Sequence, residues 1–103
     1  MHIQFERSGG LMGTTTKSSF DLSDLPEGDA EKIRLLIEQI NFSALPKDLT
    51  TAMNAPDQFT YTISIQTQEW EHTIITGDVS APLEIQPLIT TLTDISRSKR
   101  VAN

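Results

Sequence analysis

The chain has 103 residues, of which 37% are hydrophobic and 21% charged, with no cysteine and a net charge of −6. That length and balance are typical of one globular domain that buries a core without disulfides. The missing cysteines exclude thiolate catalysis and Cys-ligated zinc, and the acidic charge argues against nucleic-acid binding, which needs a basic surface.

We therefore predict a single domain over residues 1–103, with a flexible C-terminal tail from about residue 99. The N-terminus carries no apolar run resembling a signal peptide, and no segment reaches the ~18 apolar residues of a membrane span. A cytoplasmic protein without membrane contact is the simplest expectation. The only basic cluster, formed by Arg97, Lys99 and Arg100, lies near the end of a predicted helix, where it complements the helix dipole.

The chain begins with an alternating segment in which Met1, Ile3 and Phe5 share one face. This period of two predicts a half-buried strand. Residues 8–13 (SGGLMG) then carry three glycines, and residues 14–22 are rich in Thr and Ser and resemble a second strand. The pattern predicts an N-terminal β-hairpin with a glycine-rich tip.

Residues 23–26 (SDLP) are typical of a helix start, with a polar cap candidate just before a proline. Asp21 and Asp24 lie at this junction between strand and helix, and capping explains them better than acid–base chemistry. An apolar stripe at helical spacing predicts an amphipathic helix ending near Asn41. The stripe consists of Ala30, Ile33, Leu36, Ile37 and Ile40.

Residues 47–58 show no sustained period, and residues 54–57 (NAPD) are typical of a loop. Residues 59–66 (FTYTISIQ) alternate most clearly, which predicts a strand with its aromatic and isoleucine side chains inward. A turn near residues 68–69 leads to a partner strand over residues 70–76.

A last apolar stripe predicts a second helix that ends near Ser98. Its regular part should begin only at Gln86 or Pro87, because a proline inside a helix removes a backbone hydrogen bond. The stripe consists of Ile85, Leu88, Ile89, Leu92 and Ile95. The element order ββαββα predicts an α+β fold, with a four-stranded, largely antiparallel sheet and two helices packed on one of its faces.

Candidate catalytic and metal-binding groups are sparse. His2 and His72 are the only imidazoles, and no spacing of Ser or Thr suggests a nucleophile with its base. His72 with Glu69 and Glu71 is the one cluster to consider for zinc, but strand alternation places the two carboxylates on the face opposite His72. We expect no enzymatic activity, no metal and no cofactor.

Three apolar side chains lack a simple structural explanation. Leu11 and Met12 lie between glycines at the expected hairpin tip, and two adjacent side chains cannot both face the same side of a sheet. Either one folds onto the hairpin and the other is merely exposed, or the pair forms an apolar probe for a partner. Trp70 is either an edge of the core or an aromatic anchor of the kind enriched at binding hot spots.

Six segments resemble the emfourin family, which comprises small bacterial protein inhibitors of protealysin and related thermolysin-like metalloproteases. They are residues 3–10 (IQFERSGG) with Gly13, residues 24–26 (DLP), residues 40–46 (INFSALP), residues 56–61 (PDQFTY), residues 72–74 (HTI) and residues 86–89 (QPLI). Their order and spacing span almost the whole chain. The chain departs from the family at residues 68–70 (QEW), where relatives carry a glycine-containing turn, and at Leu11 and Met12, a variable spot.

The resemblance implies an inhibitor that plugs or covers the active-site cleft of a thermolysin-like metalloprotease, often encoded beside its target. Leu11, or failing that Met12, would approach the pocket for a bulky apolar side chain after the scissile bond; alternatively the chain would span the cleft as a barrier. The candidate protease-binding residues are Ser8, Gly9, Gly10, Leu11, Met12, Gly13, Asn54, Pro56, Asp57 and Trp70. The alternative function is a non-enzymatic interaction module with a different partner.

Overall fold

The computed structural model describes residues 1–9, 14–49, 59–77 and 82–101. Its strands are β1 (His2–Gly9), β2 (Thr14–Asp21), β3 (Asp48–Leu49), β4 (Phe59–Gln66) and β5 (Glu71–Gly77), and its helices are α1 (Glu27–Ile40) and α2 (Gln86–Val101). Two 3₁₀ turns, Leu22–Asp24 and Phe42–Ala44, precede and follow α1. The fold is α+β, as predicted.

The sheet has five strands in the order β2-β1-β4-β5-β3, so the prediction of four strands was wrong in number. β1, β2, β4 and β5 pair antiparallel as expected, whereas β3 pairs parallel with β5. A strand of two residues is too short to show an alternating pattern, so periodicity could not reveal it. The backbone N–H of Ile75 donates to the Lys47 carbonyl at 2.8 Å, just before β3 begins.

The register of the central pair sets the core. Ile3 of β1 lies opposite Ile65 of β4, and Phe5 lies opposite Ile63. All four side chains are buried, while Gln4 between them is exposed on the other face. Because side chains alternate along a strand, this register directs every apolar residue of the pair to the same side of the sheet.

Both helices cover that apolar face. α1 contributes Ala30, Ile33 and Ile37 to the core, and the stripe predicted for α2 is buried throughout. These helical residues and those of the strands form one contiguous cluster. The two helices also contact each other, so the molecule has two layers, and the opposite face of the sheet remains polar and partly exposed.

The start of α1 differs in detail from the prediction. The helix begins at Glu27, and Pro26 at its cap position has no side-chain hydrogen bond. Ser23 and Asp24 instead belong to the preceding 3₁₀ turn, which Asp21 caps by accepting hydrogen bonds from the backbone N–H and hydroxyl of Ser23, at 3.1 and 2.9 Å. The Asp24 carboxylate accepts in return from the Asp21 N–H. The capping role predicted for the two aspartates is confirmed, one turn earlier in the chain.

The far end of α1 and the start of α2 follow the sequence signals. Asn41 ends α1 in the left-handed conformation, with φ of 53°, a position that Asn tolerates better than most residues. The backbone N–H of Ile85 donates to the Pro82 carbonyl at 3.0 Å in a turn, and α2 begins at Gln86. Pro87 is thus in the first helical turn, where a missing N–H costs nothing. Neither of the helices described here has the length and apolar content needed to cross a bilayer.

Asp21 makes the stability of the fold depend on pH. Its hydrogen bonds from the Ser23 backbone, and then from the Ser23 hydroxyl, lower the pKa of Asp21 below the ordinary value of 3.8. A group whose pKa is lower in the folded state stabilises the fold above its unfolded pKa, and this stabilisation is lost as pH falls through the folded pKa.

We therefore expect Asp21→Asn to lower the free energy of unfolding at neutral pH, and the gap from the wild type to shrink below about pH 4. Urea denaturation at several pH values measures the gap. Glu38→Gln, at an exposed position of α1, is the control and should change the acid dependence little. A gap that stays constant down to about pH 2 would contradict the role of Asp21.

One buried hydroxyl weakens the core. Thr76 of β5 is 0% exposed, and its Oγ1 has no hydrogen-bond partner among the residues described. A buried polar group without a partner costs about 1–3 kcal/mol. Thr91 of α2 is also buried, but its Oγ1 donates to the Pro87 carbonyl at 2.8 Å.

Thr76→Val should therefore raise the free energy of unfolding by about 1 kcal/mol, because valine keeps the branched shape and removes the unsatisfied hydroxyl. Thr91→Val is the matched control and should be neutral or destabilising, since it removes a hydrogen bond. Chemical denaturation of both variants provides the comparison. Equal loss of stability in the two variants would show that the Thr76 hydroxyl has a partner in solution.

Candidate functional site

Three strands meet at one end of the sheet, which we call the tip end and define by Gly9, Thr14 and Phe59. Gly9 ends β1 and pairs with Thr14, where β2 begins, and with Phe59, where β4 begins. Residues 10–13 therefore connect β1 to β2 at this end. The N-terminal hairpin predicted from the sequence is confirmed.

Two further connections meet the tip end. Gly77, the last residue of β5, pairs with Thr60 beside Phe59, so β5 ends here. β3 runs parallel to β5, with Leu49 opposite Thr76, so β3 also ends near the tip end, where β4 begins at Phe59. The antiparallel and parallel pairings together place the attachment points of all three connections along one end of the sheet.

The candidates divide into three groups by position. Ser8 and Gly9 lie on β1 next to the tip end. Gly10, Leu11, Met12, Gly13, Asn54, Pro56 and Asp57 lie outside the described residues, although their segments attach at the tip end. Trp70 precedes β5 at the opposite end of the sheet, where His2 pairs with Gln66. At roughly 3.4 Å per residue, the length of β4 separates Trp70 from Gly9 by about 24 Å.

Gly9 has a backbone conformation that requires glycine. Its φ is 103°, a value that L-residues with a side chain rarely adopt. It also leaves no side chain opposite Phe59 on β1. Ser8 is partly buried and lies opposite Thr15 and Thr60 on the polar face.

Trp70 closes the β4–β5 turn and packs on the core. Its ring stacks on Phe42 with centroids 6.1 Å apart, and its backbone N–H donates to the Thr67 hydroxyl at 3.0 Å. The Thr67 hydroxyl donates in turn to the Trp70 carbonyl. These contacts give Trp70 a structural role at the edge of the core, whereas a role in binding stays a prediction.

His72 also has a structural role. Its Nε2 donates to the Leu45 carbonyl at 2.7 Å, and its ring packs edge-on against Phe42 with centroids 5.7 Å apart. Glu71 lies on the opposite face of β5, as alternation requires, and both Glu69 and Glu71 are exposed. Within residues 1–9, 14–49, 59–77 and 82–101, no group of three His, Asp or Glu side chains could hold a metal ion.

The structure places a hydroxyl next to an imidazole, a contact that the sequence did not predict. His2 Nε2 lies 2.8 Å from Ser19 Oγ on the exposed polar face. Asp21 is opposite His2 in the register, but its carboxylate accepts hydrogen bonds from Ser23. A catalytic triad needs a carboxylate that orients the imidazole, and this pair shows no such contact in the described structure.

The sequence analysis did not single out Arg7 and Phe59 as a pair, and both lie near the tip end on the helix-covered face of the sheet. The guanidinium of Arg7 lies over the ring of Phe59, 4.6 Å from its centroid. Next to this pair, Phe5 stacks on Tyr61 with centroids 5.8 Å apart. Alternation from Ile3 and Phe5 already assigned Arg7 to this face, but the neighbour that stacks on it comes from a strand more than 50 residues away.

Comparison with known proteins identifies a family. A family model described as Emfourin matches residues 5–93, a range that begins within β1 and ends halfway along α2. The searches of curated proteins and of solved structures returned no match. The matched range covers most of the chain and agrees with the segments from which the sequence resemblance arose. The chain therefore belongs to the Emfourin family.

Proposed function

We propose that the chain inhibits thermolysin-like, protealysin-type zinc metalloproteases, and that it covers or enters the active-site cleft with its tip end. Family membership supports the inhibitory role. The observation that supports the tip end is the pairing of Gly9 with both Thr14 and Phe59, because these strand ends adjoin in sequence the segments that contain nearly all candidate binding residues.

The construction of the sheet suits this role. β1 is paired on both sides, by β2 and β4, so the hairpin that carries the tip is fixed along its whole length. A rigid support lowers the entropy lost on binding, which improves affinity without any additional contact.

The net charge of −6 should influence the rate of association. A negative protein is attracted toward a cleft that contains a zinc ion, and such long-range attraction raises the association rate. Added salt should accordingly slow association.

The direct test is a titration of peptidase activity with the purified chain. The proposal expects stoichiometric loss of activity with at least one thermolysin-like enzyme. Unaltered activity of several such enzymes at large molar excess would contradict it. Catalytic zinc should stay bound to the protease in the inhibited mixture, because the described part of the inhibitor offers no group of side chains that could extract it.

The contribution of the apolar pair at the tip separates two mechanisms. If Leu11 or Met12 enters an apolar pocket of the cleft, replacing both by alanine should weaken inhibition at least 30-fold, or about 2 kcal/mol, as expected for a hot spot. The inhibition constants of the double variant and the wild type measure this.

Trp70→Ala is the control at the opposite end of the sheet. It should lower the free energy of unfolding, because it removes the stacking on Phe42, while the inhibition constant of the folded variant should stay near that of the wild type.

A change in the inhibition constant below about threefold for the Leu11 and Met12 variant would contradict insertion and favour a barrier across the cleft. A large loss with Trp70→Ala would instead assign binding to the other end of the sheet.

A further inference from the structure

We infer that Arg7, held on the ring of Phe59, binds an acidic side chain of the target protease. This inference rests on the proposed function and names one contact within it. It derives from the geometry of β1 and β4 at the tip end, in a part of the chain that the structure describes.

The position of Arg7 follows from the register of β1 and β4. Gly9 is opposite Phe59 and has no side chain, so the space above the Phe59 ring is open to the diagonal neighbour on β1, which is Arg7. Phe5 uses the same diagonal to stack on Tyr61. Diagonal pairs of this kind are within reach of long and aromatic side chains, and the face of the Phe59 ring attracts the guanidinium that lies over it.

Arg7 has no anionic partner within the described residues. Its one recorded side-chain interaction is the contact with Phe59, and its cross-strand neighbours are Thr16 and Tyr61, both uncharged. Glu6 points to the opposite face of the sheet because it is adjacent to Arg7 on the strand. Among the residues that the structure describes, this cation therefore lacks a carboxylate partner next to the tip end.

A docked partner has to satisfy this guanidinium. Arg7 is already partly buried, and a protease that covers the tip end removes more water from it. A guanidinium keeps its charge and has five N–H donors, and burying such a group without an acceptor costs several kcal/mol. The protease must therefore supply an acceptor at this place.

A carboxylate is the acceptor that fits best. A guanidinium presents its N–H groups as a planar fork, which matches the two oxygens of a carboxylate in a bidentate pair. Thr16 lies beside Arg7 on the same face of the sheet, and its hydroxyl adds a further neutral donor. We therefore assign the contact to an Asp or Glu side chain of the protease.

The experiment measures binding by calorimetry and inhibition by peptidase titration, for the wild type and four variants. Arg7→Gln removes the charge and should weaken both at least tenfold, or about 1.4 kcal/mol. Arg7→Lys keeps the charge without the planar fork and should recover only part of the loss. Phe59→Leu keeps Arg7 but removes the aromatic ring that it contacts. The affinity and inhibition of this variant should lie between those of Arg7→Lys and the wild type.

Lys17→Gln is the matched control. Lys17 is opposite Glu6 on the neighbouring strand and so faces the polar side of the sheet; its replacement removes the same charge from the other face. It should weaken binding by less than threefold. Thermal unfolding of every variant establishes that it is folded at the assay temperature.

The outcomes separate the inference from the proposed function. If the wild type neither binds nor inhibits, the proposed function is wrong and the inference with it. If the wild type inhibits and Arg7→Gln behaves like Lys17→Gln, the function stands and the inference is overturned.

A double-mutant cycle completes the test. One Asp or Glu at the rim of the protease cleft is changed to its amide, and its effect on the binding free energy should be non-additive with that of Arg7→Gln. If no acidic residue of the rim couples to Arg7, the inference is also overturned.

Discussion

The antiparallel pairing of β1 with β4 is the contact on which the rest of the molecule depends. It joins two hairpins that are far apart in the sequence, and it places Ile3 and Phe5 opposite Ile65 and Ile63 in the middle of the sheet. A shift of one residue would turn every apolar side chain of one strand toward water. The loss of apolar burial in such a shift would exceed the few kcal/mol by which a domain is stable.

The same register builds the surface of the tip end. Gly9 lies opposite Phe59 because Ile3 lies opposite Ile65, six residues earlier on β1. The stacking of Arg7 on Phe59 and of Phe5 on Tyr61 follows from this alignment. The core and the candidate binding surface are therefore not independent, and a substitution that disturbs the centre of β4 should also move the groups at its end.

The two ends of the sheet have different roles in this arrangement. At one end, Trp70, Phe42 and His72 pack together and close the space between the β4–β5 turn and the segment after α1. At the other end, Gly9 has a backbone conformation that requires glycine, and Arg7 is a cation without an anionic partner among the described residues. The two ends lie about 24 Å apart, at roughly 3.4 Å per residue of β4.

Much of the fold could be predicted because its elements carry strong local patterns. The alternation in β1 and β4, the helical stripes of α1 and α2, and the end of α1 near Asn41 all follow from periods and residue preferences that act within a few positions. The hairpin of β1 and β2 was likewise predicted, because glycines between two alternating segments indicate a turn whatever the rest of the chain does.

Other features depended on which strands become neighbours. The two residues of β3 are too few to show a pattern, and their parallel pairing with β5 exists only in the assembled sheet. Its aromatic side chain and its place at the second hairpin made Trp70 a binding candidate, and only the register of β4 showed that it lies at the end of the sheet opposite the tip end. Arg7 had no distinguishing sequence signal, because its partner ring belongs to Phe59. Sequence periodicity determines which face a residue occupies, whereas tertiary pairing decides what it meets there, since that contact joins segments whose separation no local pattern encodes.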